Sequence, residues 1–294
     1  MTRVVCLGDV MMDVLARLAG PLAPGSDTPA PVGLYGGGSA ANTAAWLVLA
    51  GLPTTFVGRV GDDALGRRAL DDLAAAGINL AVSVDPVRPT GTCIVLVDVD
   101  GERTMVPSAG ANAGLGPADL SAELFGPQSL LHVSGYALFT PGSRPAALDA
   151  LARARAAGCP ISLDSASAAP LAEVGAEQFL SWIGPVVLLF ANRDEARVLT
   201  GSADAAVAAR HLGRRCGEAI VKCGADAAVW SDGTDVVEVP VACRVAVDST
   251  GAGDAFAAGV LAARVAGCDV RASLRAGHAL AARAISQVGA RPPA

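Results

Sequence analysis

The chain is expected to be an α/β protein: a central, mostly parallel sheet flanked by helices on both faces, with a small β lid. Two observations predict the sheet and a third predicts the lid. Strand-length apolar runs alternate with helical periodicity almost throughout, as in sheets built by crossover connections. Glycines at 51, 77, 158, 201 and 267 close the helical runs, the position where a left-handed residue commonly ends a helix. Two stretches, 14–35 and 89–112, break the alternation.

The elements follow in order. Residues 4–7, 55–60, 130–134, 161–164, 186–190 and 219–223 are short apolar runs that read as strands. Between them, 40–50, 64–76, 144–157, 194–199, 204–216, 254–266 and 269–287 read as helices. Residues 14–35 are rich in Pro, Gly and Ala and lack a helical period. Residues 92–99 and 102–106 are extended runs joined by Asp100-Gly101, a strong hairpin signal. A hairpin inserted far from both termini suits a lid over a crevice. No repeat or linker divides the chain, so 1–294 is expected as one domain carrying the inserted lid.

Composition narrows the function. Hydrophobic residues make up 52% of 294 and mean hydropathy is +0.46, yet no apolar run reaches the ~20 residues of a spanning helix. Met1 to Val5 enters a strand directly, without a signal-type apolar segment, so a cytoplasmic protein is expected. Net charge is −6, lysine is nearly absent and the arginines are scattered, which speaks against a nucleic-acid partner. The seven cysteines (6, 93, 159, 216, 223, 243, 268) form no Cys-x-x-Cys and read as reduced core thiols. His132, His211 and His278 lack zinc-type spacing and read as structural.

Chemistry concentrates in Asp248-Ser249-Thr250-Gly251-Ala252-Gly253-Asp254-Ala255-Phe256. Glycines bracketing an alanine let a backbone approach a ligand closely, and the helix that follows turns unpaired N–H groups toward an anion. Asp254 places a carboxylate beside that anion site, where a base for phosphoryl transfer would stand. As an alternative, Asp254 is simply a helix cap. Gly36-Gly37-Gly38-Ser39-Ala40-Ala41-Asn42 also precedes a helix. It lacks the Gly-Lys-Ser/Thr of a P-loop, and the Asn42 amide suits a polyhydroxylated ligand as well as it suits a helix start. Asp13 follows the first strand and is expected near the sheet's carboxyl edge, where it could accept hydrogen bonds from paired hydroxyls; as an alternative it is simply a surface aspartate in a loop. Asn192-Arg193-Asp194-Glu195 reads as a capping box that could also organise water around Mg²⁺.

Gly37 to Ala44, with Gly51 and Gly61, resembles the N-terminal signature of the ribokinase-like (PfkB) carbohydrate kinases, and Asp248 to Leu261 resembles their C-terminal signature. Blocks at 58–66, 89–92, 109–112 and 192–195 are similar to family blocks in the same order. The resemblance spans nearly the whole chain. It implies transfer of the γ-phosphoryl group of ATP, with Mg²⁺, to a hydroxyl of a sugar or sugar derivative. Asp254 would be the base, and the N–H groups of Gly251, Ala252 and Gly253 the anion hole. Asp13, Gly37, Gly38 and Asn42 match sugar-contacting positions. Asn192 and Glu195 match the pair associated with Mg²⁺ and phosphate, Glu195 acting through water. Asp248 and Thr250, with the loop near Gly289, match a monovalent-cation (K⁺) site of some members.

Lys222-Cys223-Gly224-Ala225-Asp226-Ala227 resembles the nucleotide-side Gly-x-x-Gly turn and assigns Lys222 and Gly224 to ATP. Ala227 replaces the second glycine and would be strained if that position needs φ > 0. Asp164-Ser165-Ala166-Ser167 departs from the Asp-Pro-Asn block of several members. Nearby amides and the helix start are expected to keep Asp254 ionised. No arginine cluster is evident for a phosphorylated acceptor, which favours an unphosphorylated sugar. The rival readings are a nucleoside kinase of the same fold and a non-catalytic, sugar-responsive regulator. The lid's unpaired edges offer a homodimer contact.

Overall fold

In β1 (Arg3–Leu7) successive side chains point to opposite faces, and both faces are buried. Val5 and Leu7 join one core, Val4 and Cys6 the other, the mark of a strand covered by helices on both sides. The computed structural model describes residues 2–99, 102–242 and 247–293.

After β1 come β2 (Met11–Arg17), β3 (Val32–Gly37), α1 (Ser39–Leu49), β4 (Thr54–Gly61) and α2 (Ala64–Ala75). Then follow β5 (Asn79–Asp85), β6 (Thr92–Val97), β7 (Arg103–Ser108), β8 (Ser129–Ser134), α3 (Tyr136–Phe139) and α4 (Arg144–Ala156). Next are β9 (Ile161–Asp164), α5 (Ala168–Val174), α6 (Ala176–Ile183), β10 (Val186–Asn192), α7 (Arg193–Thr200) and α8 (Ala205–Cys216). The last are β11 (Gly217–Lys222), β12 (Ala227–Ser231), β13 (Val236–Pro240), α9 (Ala252–Val265) and α10 (Val270–Ala284).

Among the described residues the main sheet has the order β13-β12-β11-β10-β9-β8-β1-β4-β5. It is parallel from β5 to β11, and β12 and β13 extend it antiparallel. Helices α1, α2, α9 and α10 bury their apolar sides on one face, and α4 to α8 on the other. The expected α/β architecture is therefore present, and most expected helices and strands lie within a few residues of their places. Sequence reading missed β5, whose edge position leaves it half exposed and of mixed polarity. It also missed the short helices α3, α5 and α6 and the antiparallel pair β12–β13.

The four-stranded second sheet, β3-β2-β6-β7, stands over the carboxyl edge of the first. Its register aligns Tyr35, Asp13, Cys93 and Pro107 in one row, with Met105 and Arg103 farther along the same face. The expected hairpin pairs β6 with β7 antiparallel, while its Asp100-Gly101 turn lies outside the described residues. Asp13 sits within β2 rather than in a loop. Gly8 (φ 153) and Gly38 (φ 94) let the chain cross directly between the sheets, so a strand begins at once. A Cβ on Gly38 would lie 2.6 Å from the Asp9 carbonyl oxygen.

Ala227 escapes the anticipated strain because it opens a buried strand, while Gly224 takes the left-handed conformation (φ 63). The described non-glycine residue with positive φ is Ala166 (φ 69), in the block that departs from the family. Cys6, Cys93, Cys159, Cys216 and Cys223 are buried free thiols, but Cys268 is exposed rather than in the core. Cys243 lies outside the described residues. His132 is buried with Nδ1 2.9 Å from Ser162 Oγ, and burial pushes it down to about 4. Among the described residues no helix is long and apolar enough to cross a membrane.

Helix α9, which carries Asp254, lies against α10 through glycines. A Cβ on Gly259 would meet the Ala276 carbonyl oxygen at 2.5 Å, and one on Gly277 would meet Phe256 and Val260 at 2.8 Å. Gly259→Val should force the helices apart and cost about 1–3 kcal/mol. Denaturant unfolding would show this as a lower midpoint with an unchanged slope.

Candidate active site

The carboxyl ends of β1, β9, β10 and β11 converge with the starts of α1, α7 and α9 beneath the second sheet, around a cavity of about 780 Å³. Such a crevice is where ligands bind in open α/β sheets.

Gly251 is left-handed (φ 73) and caps α9. A Cβ there would lie 2.4 Å from the Ala290 carbonyl oxygen, so glycine is required by both conformation and space. Ala252 N–H donates to Ser249 O at 3.3 Å. Among the described residues no protein acceptor takes the N–H of Gly251 or Gly253. The expected three-donor anion hole thus has two uncommitted donors.

Asp254 follows on the first turn of α9. Its Oδ1 accepts from Ser39 Oγ at 2.8 Å and its Oδ2 from Asn42 Nδ2 at 2.9 Å. Sequence reasoning expected neighbouring amides and the helix start to keep this acid ionised. Burial instead pushes it up to about 7, helped by the Asp164 charge and opposed by Asn42, Ser39 and Lys222. Desolvation wins because two hydrogen bonds replace only part of a carboxylate's water shell.

Facing Asp254 is Lys222, the single lysine of the chain. Its Nζ donates to Asp164 Oδ2 at 2.6 Å. A methyl group on Gly253 would lie 3.2 Å from that ammonium, so a cation overlooks the start of α9. Burial alone would lower the lysine, but Asp164 and Glu195 outweigh it and hold it protonated. Glu195 closes the expected capping box. Asn192 N and Ser165 Oγ each donate to its Oε2 at 2.8 Å, and Asn192 Nδ2 donates to its Oε1 at 2.6 Å. Burial and the Asp164 charge raise Glu195, against Lys222. With both oxygens hydrogen-bonded, Glu195 fits a magnesium site only through intervening water.

On the other wall, Asp13 is raised to about 6 by burial, opposed by the Arg291 charge. Arg291 holds Asn42 and Gly37 from beneath: Nε donates to Asn42 Oδ1 at 3.2 Å and Nη2 to Gly37 O at 2.6 Å. Asp9 caps α1 from a distant strand end, accepting from Ser39 N at 2.9 Å. Asn112 accepts from Val10 N at 3.0 Å and donates to Val10 O at 2.9 Å, tying the segment after β7 to the crossing between β1 and β2.

Asp13, Gly38, Asn42, Asn192, Glu195, Lys222, Gly224, Thr250, Gly251, Gly253 and Asp254 all line this one cavity. Gly37, Ala252 and Asp248 stand just behind its wall. Sequence reasoning gave no site role to Ser39, Asp9, Asp164 or Arg291, and weighed Arg103 only as one of four scattered arginines for a phosphorylated acceptor. Of the first four, two left a signal: Ser39 lies within the glycine-rich loop, and Asp164 ends a strand at the carboxyl edge. Arg291 had none, because its tail reaches Asn42 only in three dimensions.

A buried carboxylate, uncommitted helix-start donors and a lysine around one crevice are the groups a phosphotransferase with a hydroxyl acceptor needs, and its relatives place the chain in that class. Residues 1–294 match the profile described as "pfkB family carbohydrate kinase", and the chain belongs to that family. It is 32% identical over 297 residues to the ATP-dependent ribose-1-phosphate kinase of Halopiger xanaduensis, covering 99% of this chain and 94% of that one. It is 31% identical over 276 residues to a fructokinase of Klebsiella pneumoniae, covering 88% and 83% respectively. The solved adenosine kinase of Sinorhizobium meliloti superposes with a TM-score of 0.87 at 27% identity, covering 100% of this chain and 96% of that one.

Removing Lys222 isolates buried carboxylates. Lys222→Met should destabilise the protein by about 3–5 kcal/mol at pH 8, the cost of breaking a buried pair. Glu195, already raised, then loses the cation that opposes its shift. An acid with a raised folded pKa gives stability at low pH that is lost as pH rises through that pKa. The deficit should therefore shrink on acidification, which melting curves from pH 5 to pH 8 would reveal.

Proposed function

We propose that this chain transfers the γ-phosphoryl group of ATP to a hydroxyl of an unphosphorylated sugar or sugar derivative, with Asp254 as general base. The observation that carries the reading is the Asp254 carboxylate, raised to about 7 at the start of a helix whose Gly251 and Gly253 N–H groups face the same cavity. A base poised near the working pH is the useful one.

Asp13 and Asn42, supported by Arg291, would hold the acceptor's hydroxyls with Gly37 and Gly38 giving close backbone approach. Asp254 takes the proton as the acceptor oxygen bonds to phosphorus and the bond to the leaving phosphate oxygen breaks. Gly251 and Gly253, with Lys222, stabilise the charge on the phosphoryl oxygens, since such transfer depends mainly on positioning and electrostatics. Lys222, Gly224 and Asn192 form the nucleotide side. Glu195 and Asn192 would hold magnesium through water, and magnesium would supply neutralisation of phosphate charge. The second sheet is the lid, inserted in a single domain.

The cations lining the cavity, Arg103 and Lys222, are each paired with a carboxylate, Asp248 and Asp164. Neither is left for a phosphate on the acceptor, in contrast to what the name of the Halopiger relative implies for that protein. A nucleoside is the second reading. Met11, Cys93, Met105, Pro107 and Leu115 give the lid side an apolar wall that could take a base. Ile94 and Val106, exposed on the lid's outer face, support self-association through that sheet, which light scattering with Ile94→Lys would test.

A panel of unphosphorylated pentoses, hexoses, sugar acids and nucleosides, assayed for ADP release with Mg²⁺, should contain the acceptor. Absence of turnover across it would overturn the substrate reading. Asp254→Asn should lose about 10²–10⁴ in turnover, and a wild-type rate would remove the base assignment. For the wild type, kcat/KM should rise with pH and reach half its maximum near 7. A raised folded pKa also means that Asp254 stabilises the fold in its neutral form, an effect lost as pH rises through about 7. Asp254→Asn should therefore melt no lower than the wild type at pH 8, which separates lost chemistry from lost fold.

A further inference from the structure

Arg103 opens β7 opposite Val97, the last residue of β6. It thus stands at the tip of the lid sheet, away from the crossings at Gly8–Val10 and Gly37-Gly38. From there its side chain, 24% exposed, spans the cavity to the turn ahead of α9. Nη1 donates to Asp248 Oδ1 at 3.3 Å and also to Thr250 Oγ1, and Nη2 donates to Ser249 Oγ at 2.6 Å. Every residue between Asp248 and the anion-hole glycine Gly251 is therefore held by one guanidinium.

Asp248 and Thr250 are also where the family resemblance implies a monovalent cation. The donor set does not fit one in this arrangement. Asp248 Oδ1 accepts from Thr250 N at 2.9 Å and Thr250 Oγ1 at 2.6 Å besides Arg103, and its Oδ2 accepts from Gly289 N at 3.0 Å. Thr250 Oγ1 directs its proton to Asp248 and a lone pair to Arg103. A potassium ion would need the lone pairs of Asp248 Oδ1 and Thr250 Oγ1, and those already point at hydrogens. The negative charge is already met by a guanidinium, which cannot be deprotonated.

We propose that Arg103 is a positioning residue that stands in for the monovalent cation: lid closure delivers its guanidinium to the Asp248–Thr250 turn, orders the Gly251 and Gly253 donors, and makes turnover independent of K⁺. Because Arg103 sits at the tip, it reaches the turn only when the lid is down. Closure over the acceptor and ordering of the anion hole are then one event, which suits an enzyme that must not transfer phosphate to water. The inference rests on Gly251–Asp254 as the phosphoryl-transfer turn.

The test compares wild type, Arg103→Ala and Arg103→Lys in KCl and in tetramethylammonium chloride at equal ionic strength, about 0.1 M, where distant surface charges are screened. Wild-type kcat should change less than about twofold with K⁺, and its melting temperature should not respond to K⁺. Arg103→Ala should lose about 10–100-fold in kcat, the scale of a misplaced reacting group, with smaller changes in KM. Added K⁺ or guanidinium should restore part of that kcat, K⁺ should raise the variant's melting temperature, and Arg103→Lys should fall between. Several-fold activation of the wild type by K⁺, with a K⁺-dependent melting shift, would overturn the proposal. So would an Arg103→Ala variant that keeps wild-type kcat, or one that only raises acceptor KM and ignores both cations. The melting comparison needs no substrate, so it decides the role of Arg103 even if no acceptor in the panel turns over.

Discussion

The site depends on keeping three carboxylates and one lysine together in a crevice where burial strips away much of their water. Asp164, Glu195 and Asp254 all act on Lys222, and Lys222 overlooks the glycines that start α9. Burial and the Asp164 charge raise both Glu195 and Asp254, against the pull of Lys222. Glu195 is answered by its capping box and Ser165. Asp254 receives only Ser39 and Asn42, neutral donors that share its charge without cancelling it. Burial therefore leaves the acid on the first turn of α9 raised to about 7.

That balance is a property of the topology. Asp164 ends β9, Glu195 starts α7, Lys222 ends β11 and Asp254 starts α9, so the parallel sheet gathers strand ends and helix starts at one edge. Two buried cores, one on each face, hold those strands in register, and the glycine contact between α9 and α10 fixes the helix that aims Asp254. The second sheet then roofs the edge with one face, carrying Asp13 near the crossing and Arg103 at the tip. The same strand geometry therefore places Asp13 and the contact to the Asp248–Thr250 turn on one sheet.

Ala166 illustrates how function constrains this edge. It holds φ 69 because Asp164 Oδ1 accepts its N–H at 2.9 Å, shaping the loop around the lysine's partner. A non-glycine residue in this region carries strain of about 1–3 kcal/mol, and such strain gathers at functional sites. The departure of residues 164–167 from the family block thus has a physical correlate in the structure, although the alanine itself has none beyond tolerating the conformation.

The sequence by itself determined the layered α/β plan, because period-2 and period-3.6 apolar patterns each admit one way of burying their faces. It also determined the glycine-rich turn before α9, the Asn192–Glu195 cap and the group of residues around Asp254, because local backbone chemistry writes these into short stretches. Tertiary structure alone decided what crosses long sequence separations. Arg291 comes under Asn42 from the far end of the chain, Ser39 reaches Asp254, and Arg103 takes the place expected for a cation at Asp248. It also decided the protonation of Asp254. A carboxylate's pKa depends on how much water the folded protein removes and which partners replace it, and a linear string of residues does not carry that quantity.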